Sequence, residues 1–295
     1  MKKISFLFLM LFLSISFLAC DDDDDSTTVT YDPPTLATTA DKSFSEAFAD
    51  LTSLTSTADV THNDGVGYTG YSLDQFVPKS TINALVDLDE ESGDARNLFA
   101  YNVVATDAFS FRDKSDFDLN WTDFSSGYYL SDHLETPVSF PSEEILKSFD
   151  VKGATTINLY RKVDFKTTDG TTIMVEIGAF TTSTINYQNW RQTDNNADAG
   201  FAFSELIYDY ITTTPESYSY KITTVDNYVG EGDDYISDNI VTWEIAQNAY
   251  FLPSSGEGEE AKIIFLNADA TETTYATQAY KNIKYPQIIE LISSK

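Results

Sequence analysis

Cysteine is nearly absent from this 295-residue chain, which has one, Cys20. No disulfide can form within the chain, and no second thiolate exists for a zinc–cysteine cluster. Histidine is almost as scarce, with only His62 and His133. A histidine-based triad or a zinc site would need convergent partners for one of these two. We read both as polar surface groups. Positive charge is short as well: 18 Lys and Arg against 47 Asp and Glu give a formal charge of −29. Such a surface repels phosphate backbones, which excludes nucleic acid as a partner. No Gly-x-Ser-x-Gly elbow and no phosphate-cradling P-loop occurs. Long apolar runs are missing too. The longest, Ile4 to Leu18, is interrupted by Ser5, Ser14 and Ser16. At about 15 residues it falls short of the roughly 20 that a spanning helix needs.

That apolar run has its own meaning. Lys2 and Lys3 precede it, and Ala19-Cys20 closes it. A charged start, an apolar stretch and a small residue before a cut describe a secretory signal over residues 1–19. Phe17-Leu18-Ala19-Cys20 resembles the lipobox of lipoprotein signal peptides, with Phe17 where Leu is usual. The resemblance implies cleavage before Cys20 and lipidation of its thiolate. Acyl chains such as palmitate hold a protein to a membrane at about 0.8 kcal/mol per buried methylene, and two or more chains are needed for a stable anchor. Asp21 to Asp25 follow at once. An acidic run in this place resembles the export signal of Bacteroidetes-type surface lipoproteins. It implies a cell-envelope protein on the outer membrane, facing outward. Residues 20–42, with the acidic run, Pro33-Pro34 and many Thr, read as a disordered, lipidated tether.

Beyond the tether the chain repeats itself. Tyr101, Val103, Asp107 and Phe109 match Tyr220, Ile222, Asp226 and Tyr228 at an offset of 119. Trp121 matches Trp243, and Tyr129-Leu130 matches Phe251-Leu252, both at 122. Upstream, Leu73 to Val77 resembles Phe203 to Ile207. Downstream, Val151 and Ile157 to Leu159 resemble Ile283 and Ile289 to Leu291. The order is preserved, and the offset drifts only where loops differ, with residues 79–97 as the longer loop of the first copy. In each copy the pattern predicts a helix or turn at Leu73 or Leu206, then a strand at Tyr101 or Tyr220. A short helix at the Trp follows, then strands at Val138–Phe140 or Ile263–Leu266, and a last strand ending at Leu159 or Leu291. Thr168 to Thr171 reads as a turn between two strand-like runs. Tyr, Phe, Thr, Val and Ile are abundant and favour strands. The expected fold is α+β and strand-rich, with two tandem related lobes, 43–163 and 164–295.

The second copy runs from Phe203 to Ile207 through Tyr220 to Tyr228, Trp243 to Leu252, Ile263 to Leu266 and Lys281 to Leu291. This order resembles the later part of the molybdopterin-binding domain of sulfite-oxidase-like proteins. Asn227 stands where that family has Gly. The family binds molybdenum through a cysteine thiolate, and the one cysteine here, Cys20, is the lipidated residue, so the resemblance implies the fold without the cofactor.

Three segments are candidates for binding. Trp190 lies in a polar loop, Asn186 to Asn195, with Tyr187 near it; exposed rings stack on sugars. Asp194, Asn196, Asp198 and Glu205 carry oxygen ligands at spacings close to a calcium loop of the EF-hand kind, although Gly200 falls one place late. The acidic stretch Asp226 to Asp238 attracts cations only weakly. Calcium is therefore the one ion the sequence suggests, and no cofactor is expected. Nothing marks the chain as an enzyme. The sequence points to a surface-exposed lipoprotein acting as a non-catalytic binding module for a small molecule, a glycan or a protein, in a role such as nutrient capture. The alternative is an enzyme, oxidoreductase-like or hydrolytic, on a sulfite-oxidase-like fold.

Overall fold

The computed structural model describes residues 53–105, 107, 119–133, 135, 137–140, 150–210, 212, 214–253, 261–267 and 275–293. All of these belong to the compact unit Asp32–Lys295. The signal, Cys20, the tether, and the Phe109 match lie outside the described residues.

The fold is α+β and strand-rich. The first copy opens with the hairpin β1 (Ser56–Thr61) and β2 (Gly67–Ser72), followed by a 3-10 turn at Leu73–Phe76. Residues 79–97 are more than a loop, since they begin with helix α1 (Lys79–Leu85) and end in a 3-10 turn starting at Ala95. Buried Asn83 ties this segment together. Its amide donates to the carbonyls of Asp89 and Gly93 and its oxygen accepts from the Ala95 N–H. Then come β3 (Phe99–Ala105), α2 (Trp121–Ser125), β4 (Tyr128–Leu130), β5 (Val138–Ser139) and the long β6 (Ala154–Lys166). β7 (Thr172–Glu176) folds back on β6 across the expected turn.

The second copy repeats the series. β8 (Ser183–Gln188) and β9 (Asn195–Ala202) form the hairpin, α3 (Phe203–Tyr210) follows, and a 3-10 turn at Pro215–Ser217 leads into β10 (Tyr218–Thr224). β11 (Ile240–Thr242), α4 (Trp243–Ala246), β12 (Ala249–Leu252), β13 (Lys262–Leu266), β14 (Ala276–Lys284) and β15 (Pro286–Ser293) complete it.

The copies agree down to single residue pairs. Tyr101 pairs with Leu159 and Val103 with Ile157, and the register shifts by a bulge before Ala105 meets Ala154. Tyr220 pairs with Leu291 and Ile222 with Ile289, and the same shift precedes Thr224 and Pro286. Each tyrosine hydroxyl donates to the carbonyl five residues back, Tyr101 to Arg96 at 2.9 Å and Tyr220 to Pro215 at 2.8 Å. Trp121 packs on Tyr101 and Trp243 on Tyr220, with ring centroids 5.3 and 6.3 Å apart. Gly70 and Gly200 match as well. A Cβ at Gly70 would lie 2.6 Å from Val60 Cγ2, and one at Gly200 would lie 2.4 Å from Leu252 Cδ2, so neither place has room for a side chain.

Each copy has its own apolar core, one around Phe99, Tyr101, Phe124 and Phe140, the other around Phe201, Phe203, Tyr220 and Phe251. Each such side chain removed from water stabilises the fold by roughly 1.5–3 kcal/mol before cavity terms. The copies are joined through one sheet, β11-β10-β15-β6-β3, in which β15 and β6 run parallel. The contact uses Asp164 to Lys166 of β6, beyond the part that matches β15. β6 therefore continues without a break through Val163 and Asp164, where the sequence pattern sets the lobe boundary. Tyr285 adds a second tie: it packs in the first core and its hydroxyl donates to the Asp87 carbonyl at 2.8 Å.

The remaining strands differ in closure. In the second copy β12, β13, β14, β8 and β9 form a closed barrel, sealed where Ala276 and Thr277 pair in parallel with Tyr187 and Gln188. Among the described residues the first copy has an open four-stranded sheet, β1-β2-β4-β5. Among them, too, no helix is long and apolar enough to cross a membrane.

Candidate functional site

β1 pairs antiparallel with β2, and β2 antiparallel with β4. β1 and β4 therefore point the same way, and the loops that follow them emerge at one end of the open sheet. Those two loops carry the only two histidines of the chain.

The β1–β2 loop is a tight turn. His62 N–H donates to the Val66 carbonyl and Gly65 N–H to the His62 carbonyl, each at 2.9 Å. Gly65 has φ +80°, a left-handed conformation that costs glycine little. The Asp64 carboxylate accepts from the Val66 N–H at 2.8 Å with one oxygen and from the Tyr68 hydroxyl at 2.8 Å with the other. These two donors, the backbone N–H foremost, hold Asp64 below the usual carboxylate range. In the β4–β5 loop, Asp132 accepts from the Thr69 N–H at 2.9 Å and pins the loop against β2.

The result is a cluster of rings and carboxylates. The His62 and His133 rings meet edge to face with centroids 5.0 Å apart, and Tyr68 lies 4.7 Å from His133. A ring nitrogen of each histidine and a carboxylate oxygen of Asp64 all lie within 4.8 Å of one another. His133 Nε2 is 4.0 Å from Asp64 Oδ2. Both imidazoles are largely covered and Asp64 is exposed, so the group sits at the surface with one open side. Behind it, His62 Nδ1 is 2.9 Å from Ser139 Oγ and 3.6 Å from Asp150 Oδ2. Burial pushes the Asp150 carboxyl above its ordinary range, against the pull of the Phe140 N–H and His62.

Serine, histidine and aspartate thus lie together, but not as a nucleophilic triad. A triad sets serine on one ring nitrogen and the carboxylate on the other. Here both face Nδ1, and Ser139 is fully buried in β5. What the group can do is bind: it offers two imidazoles and a carboxylate on its open side, with oriented partners behind.

The residues singled out in the sequence fall elsewhere. Tyr187 lies inside β8 rather than in a loop, and it is only 2% exposed. It packs with Ile185, Leu252 and Ile264 and donates its hydroxyl to Asp198 at 2.6 Å, which makes it a core residue. Trp190 does lie in the β8–β9 turn, where the Arg191 guanidinium covers its ring at 4.7 Å. The backbone does not curl into the loop expected for calcium. Asn196 and Asp198 belong to β9, an extended strand that cannot wrap around an ion, and Glu205 belongs to α3. Asp194 instead accepts from Asn189 and Thr193, and Asp198 has Tyr187 and, at 3.5 Å, Lys262. Among the described residues, Asp194, Asp198 and Glu205 form no metal-holding group, whereas His62, Asp64 and His133 do. In the acidic stretch, Asp226 accepts from the Tyr228 N–H and the Asp234 carbonyl accepts from the Lys281 N–H.

The repeat places the site in a useful frame. Val60 pairs with Tyr68 as Ile185 pairs with Asp198, and Thr61 with Gly67 as Asn186 with Ala197. His62 therefore matches Tyr187. Ser139 faces Tyr128 as Ile264 faces Tyr250, so Ser139 matches Ile264. Val151 faces Val138 as Ile283 faces Ile263, so Asp150 matches Asn282. Comparison of the chain with protein-family models, with curated proteins and with solved structures finds no match in any of the three.

Proposed function

We propose that this chain is a lipid-anchored envelope protein that binds a ligand without transforming it, and that its binding end is the loop end of the open sheet in the first copy. One observation carries the second part: two histidines 71 residues apart, the only two in the chain, are brought into contact with Asp64 there. Loops on a rigid sheet are where binding groups concentrate. The first part rests on Cys20, its preceding apolar run and the acidic residues after it. Together they support an outward-facing capture protein held at the end of a tether.

The molybdopterin alternative finds no support in the donor set. Residues 53–293 contain no cysteine, so the thiolate that would hold molybdenum is missing there.

Two measurements test the proposal. Cys20→Ala should abolish palmitate labelling and move the protein from the membrane to the soluble fraction; retention in the membrane contradicts the anchor. Amide shifts of ¹⁵N-labelled protein, surveyed with divalent cations, phosphate and oligosaccharides, should appear first at residues 62–68 and 131–135. Shifts confined to the Trp190 turn would move the binding end to the second copy.

A further inference from the structure

The geometry points to a divalent transition-metal site, with zinc as the fitting ion, in which His62, His133 and Asp64 are the three protein ligands. This rests on the loop end of the first copy being the binding end, and it names the ligand class.

The donor set selects the ion. Two imidazole nitrogens and one carboxylate oxygen suit zinc and its late first-row neighbours, while calcium and magnesium take oxygen alone. Zinc bonds of about 2.0–2.1 Å in a tetrahedron put ligand atoms about 3.3 Å apart. The three atoms here lie within 4.8 Å, so shifts of about an ångström in two hairpin loops bring them to bonding distance. Three protein ligands leave the fourth position to water or to a bound molecule, the arrangement of open zinc sites. Since Asp64 is exposed, an ion there can exchange with the surroundings, as a capture site requires.

The surroundings are those of a ligand set. Ligating histidines commonly give their second nitrogen to an oxygen that fixes the ring. With Nε2 of His62 as the ligating atom, Ser139 Oγ and Asp150 Oδ2 stand at its Nδ1 and fill that role. Ser139 is itself fully buried, so this support is built into β5. Tyr68 orients Asp64 through its hydroxyl. The acidic side chains Asp132, Glu135 and Asp150 lie on the same loops or behind them, with Lys152 paired to Glu135, and add to the attraction for a cation. His133 differs from His62 in one respect. Its Nδ1 accepts from the Glu135 N–H at 3.2 Å. A metal on Nε2 places the ring proton on Nδ1, so this contact must open. Glu135 is therefore the amide that should report the ion.

The second copy serves as an internal control. Tyr187 and Ile264 replace His62 and Ser139 there, and neither provides a zinc ligand of this kind.

The test titrates the full chain, in detergent and stripped with a chelator, with zinc chloride alone, and with calcium chloride for comparison. The expected result is one zinc per chain, no calcium of similar affinity, and a shifted Glu135 amide. His62→Ala, His133→Ala and Asp64→Asn should each weaken zinc binding by about tenfold or more. Asp194→Asn should leave it unchanged. No zinc binding, or zinc binding unaffected by both histidine substitutions, overturns the site. Ser139→Ala is a second variant should a histidine variant fail to fold. It removes a hidden hydroxyl, keeps all three ligands, and should weaken zinc binding with the melting curve retained. If zinc leaves the amides of residues 62–68 unmoved while phosphate or a saccharide shifts them, the metal is wrong and the binding end stands. If nothing in the survey shifts them, the binding end falls too.

Discussion

In the first copy the residue that follows β1 is His62, and in the second the matching residue, inside β8, is Tyr187. Their surroundings are opposite. Tyr187 is buried against Ile185, Leu252 and Ile264 at the end of a closed barrel. His62 meets His133, Ser139 and Asp150 at the end of an open sheet. The two residue pairs before each correspond, Val60–Tyr68 and Thr61–Gly67 with Ile185–Asp198 and Asn186–Ala197; beyond them Tyr187 goes on to pair with Asn196 and Ala276. Matching positions therefore carry two different environments, and a few side chains decide which. Apolar residues let the second copy complete a core, while imidazoles and carboxylates leave the first copy's loop end polar and partly open to solvent.

Four experiments probe this comparison, the largest effect first. Phe251 stacks on Phe201 with centroids 5.5 Å apart, and Phe201 stacks on Phe180 at 4.5 Å. Phe251→Ala should cost about 3–5 kcal/mol of stability in urea unfolding. Because β6 and β15 pair and Tyr285 enters the first core, we expect the loss in one cooperative transition. A biphasic curve with the first copy intact would make the copies independent. Next, His62→Tyr with Tyr68→Asp imports the second copy's pair, Tyr187 and Asp198, into the first. This double variant should fold and lose zinc affinity by about tenfold or more; wild-type affinity would separate the site from His62.

Smaller effects follow. Tyr101→Phe and Tyr220→Phe each remove one hydroxyl donor to a carbonyl five residues back. Each should cost about 1 kcal/mol, and the two costs should agree. A difference of several-fold would say that the matching bonds are not energetically matched. Last is Asp169, in the turn that leads from β6 to β7. The Thr167 hydroxyl and Thr171 N–H hold its carboxyl down at about 2. A folded value below the unfolded one means stability that is present above the ordinary aspartate range and lost as pH falls through about 2. Asp169→Asn should therefore differ slightly from wild type at neutral pH and converge with it near pH 2, as read by thermal melts. A gap that persists at that pH would place the effect elsewhere.

How far the sequence can be read depends on the range of the interaction. Tyr101 with Tyr220 and Trp121 with Trp243 are legible because core packing fixes large aromatics at set distances from strand ends. The short helix at each Trp and the closing strands at Leu159 and Leu291 follow the same local pattern. Tyr187 was harder. Its polar neighbours suggest a loop, but Ile185 and Tyr187 alternate onto one buried face of β8. Asp194, Asn196 and Asp198 have the spacing of a calcium loop only if the chain curls; in a strand, alternate residues stand about 7 Å apart along its axis. The histidine pair depends on β2 lying between β1 and β4, a tertiary pairing that spans some 60 residues. The available signal was indirect: each histidine sits within three residues of a strand end in a chain that has only two.

The most direct measurement is anomalous X-ray scattering at the zinc absorption edge from crystals of the chain grown with zinc chloride. One strong peak bonded to His62, His133 and Asp64 is expected, with none at the matching place beside Tyr187. A peak at Asp194 or elsewhere with that place empty, or no bound zinc at all, would contradict it.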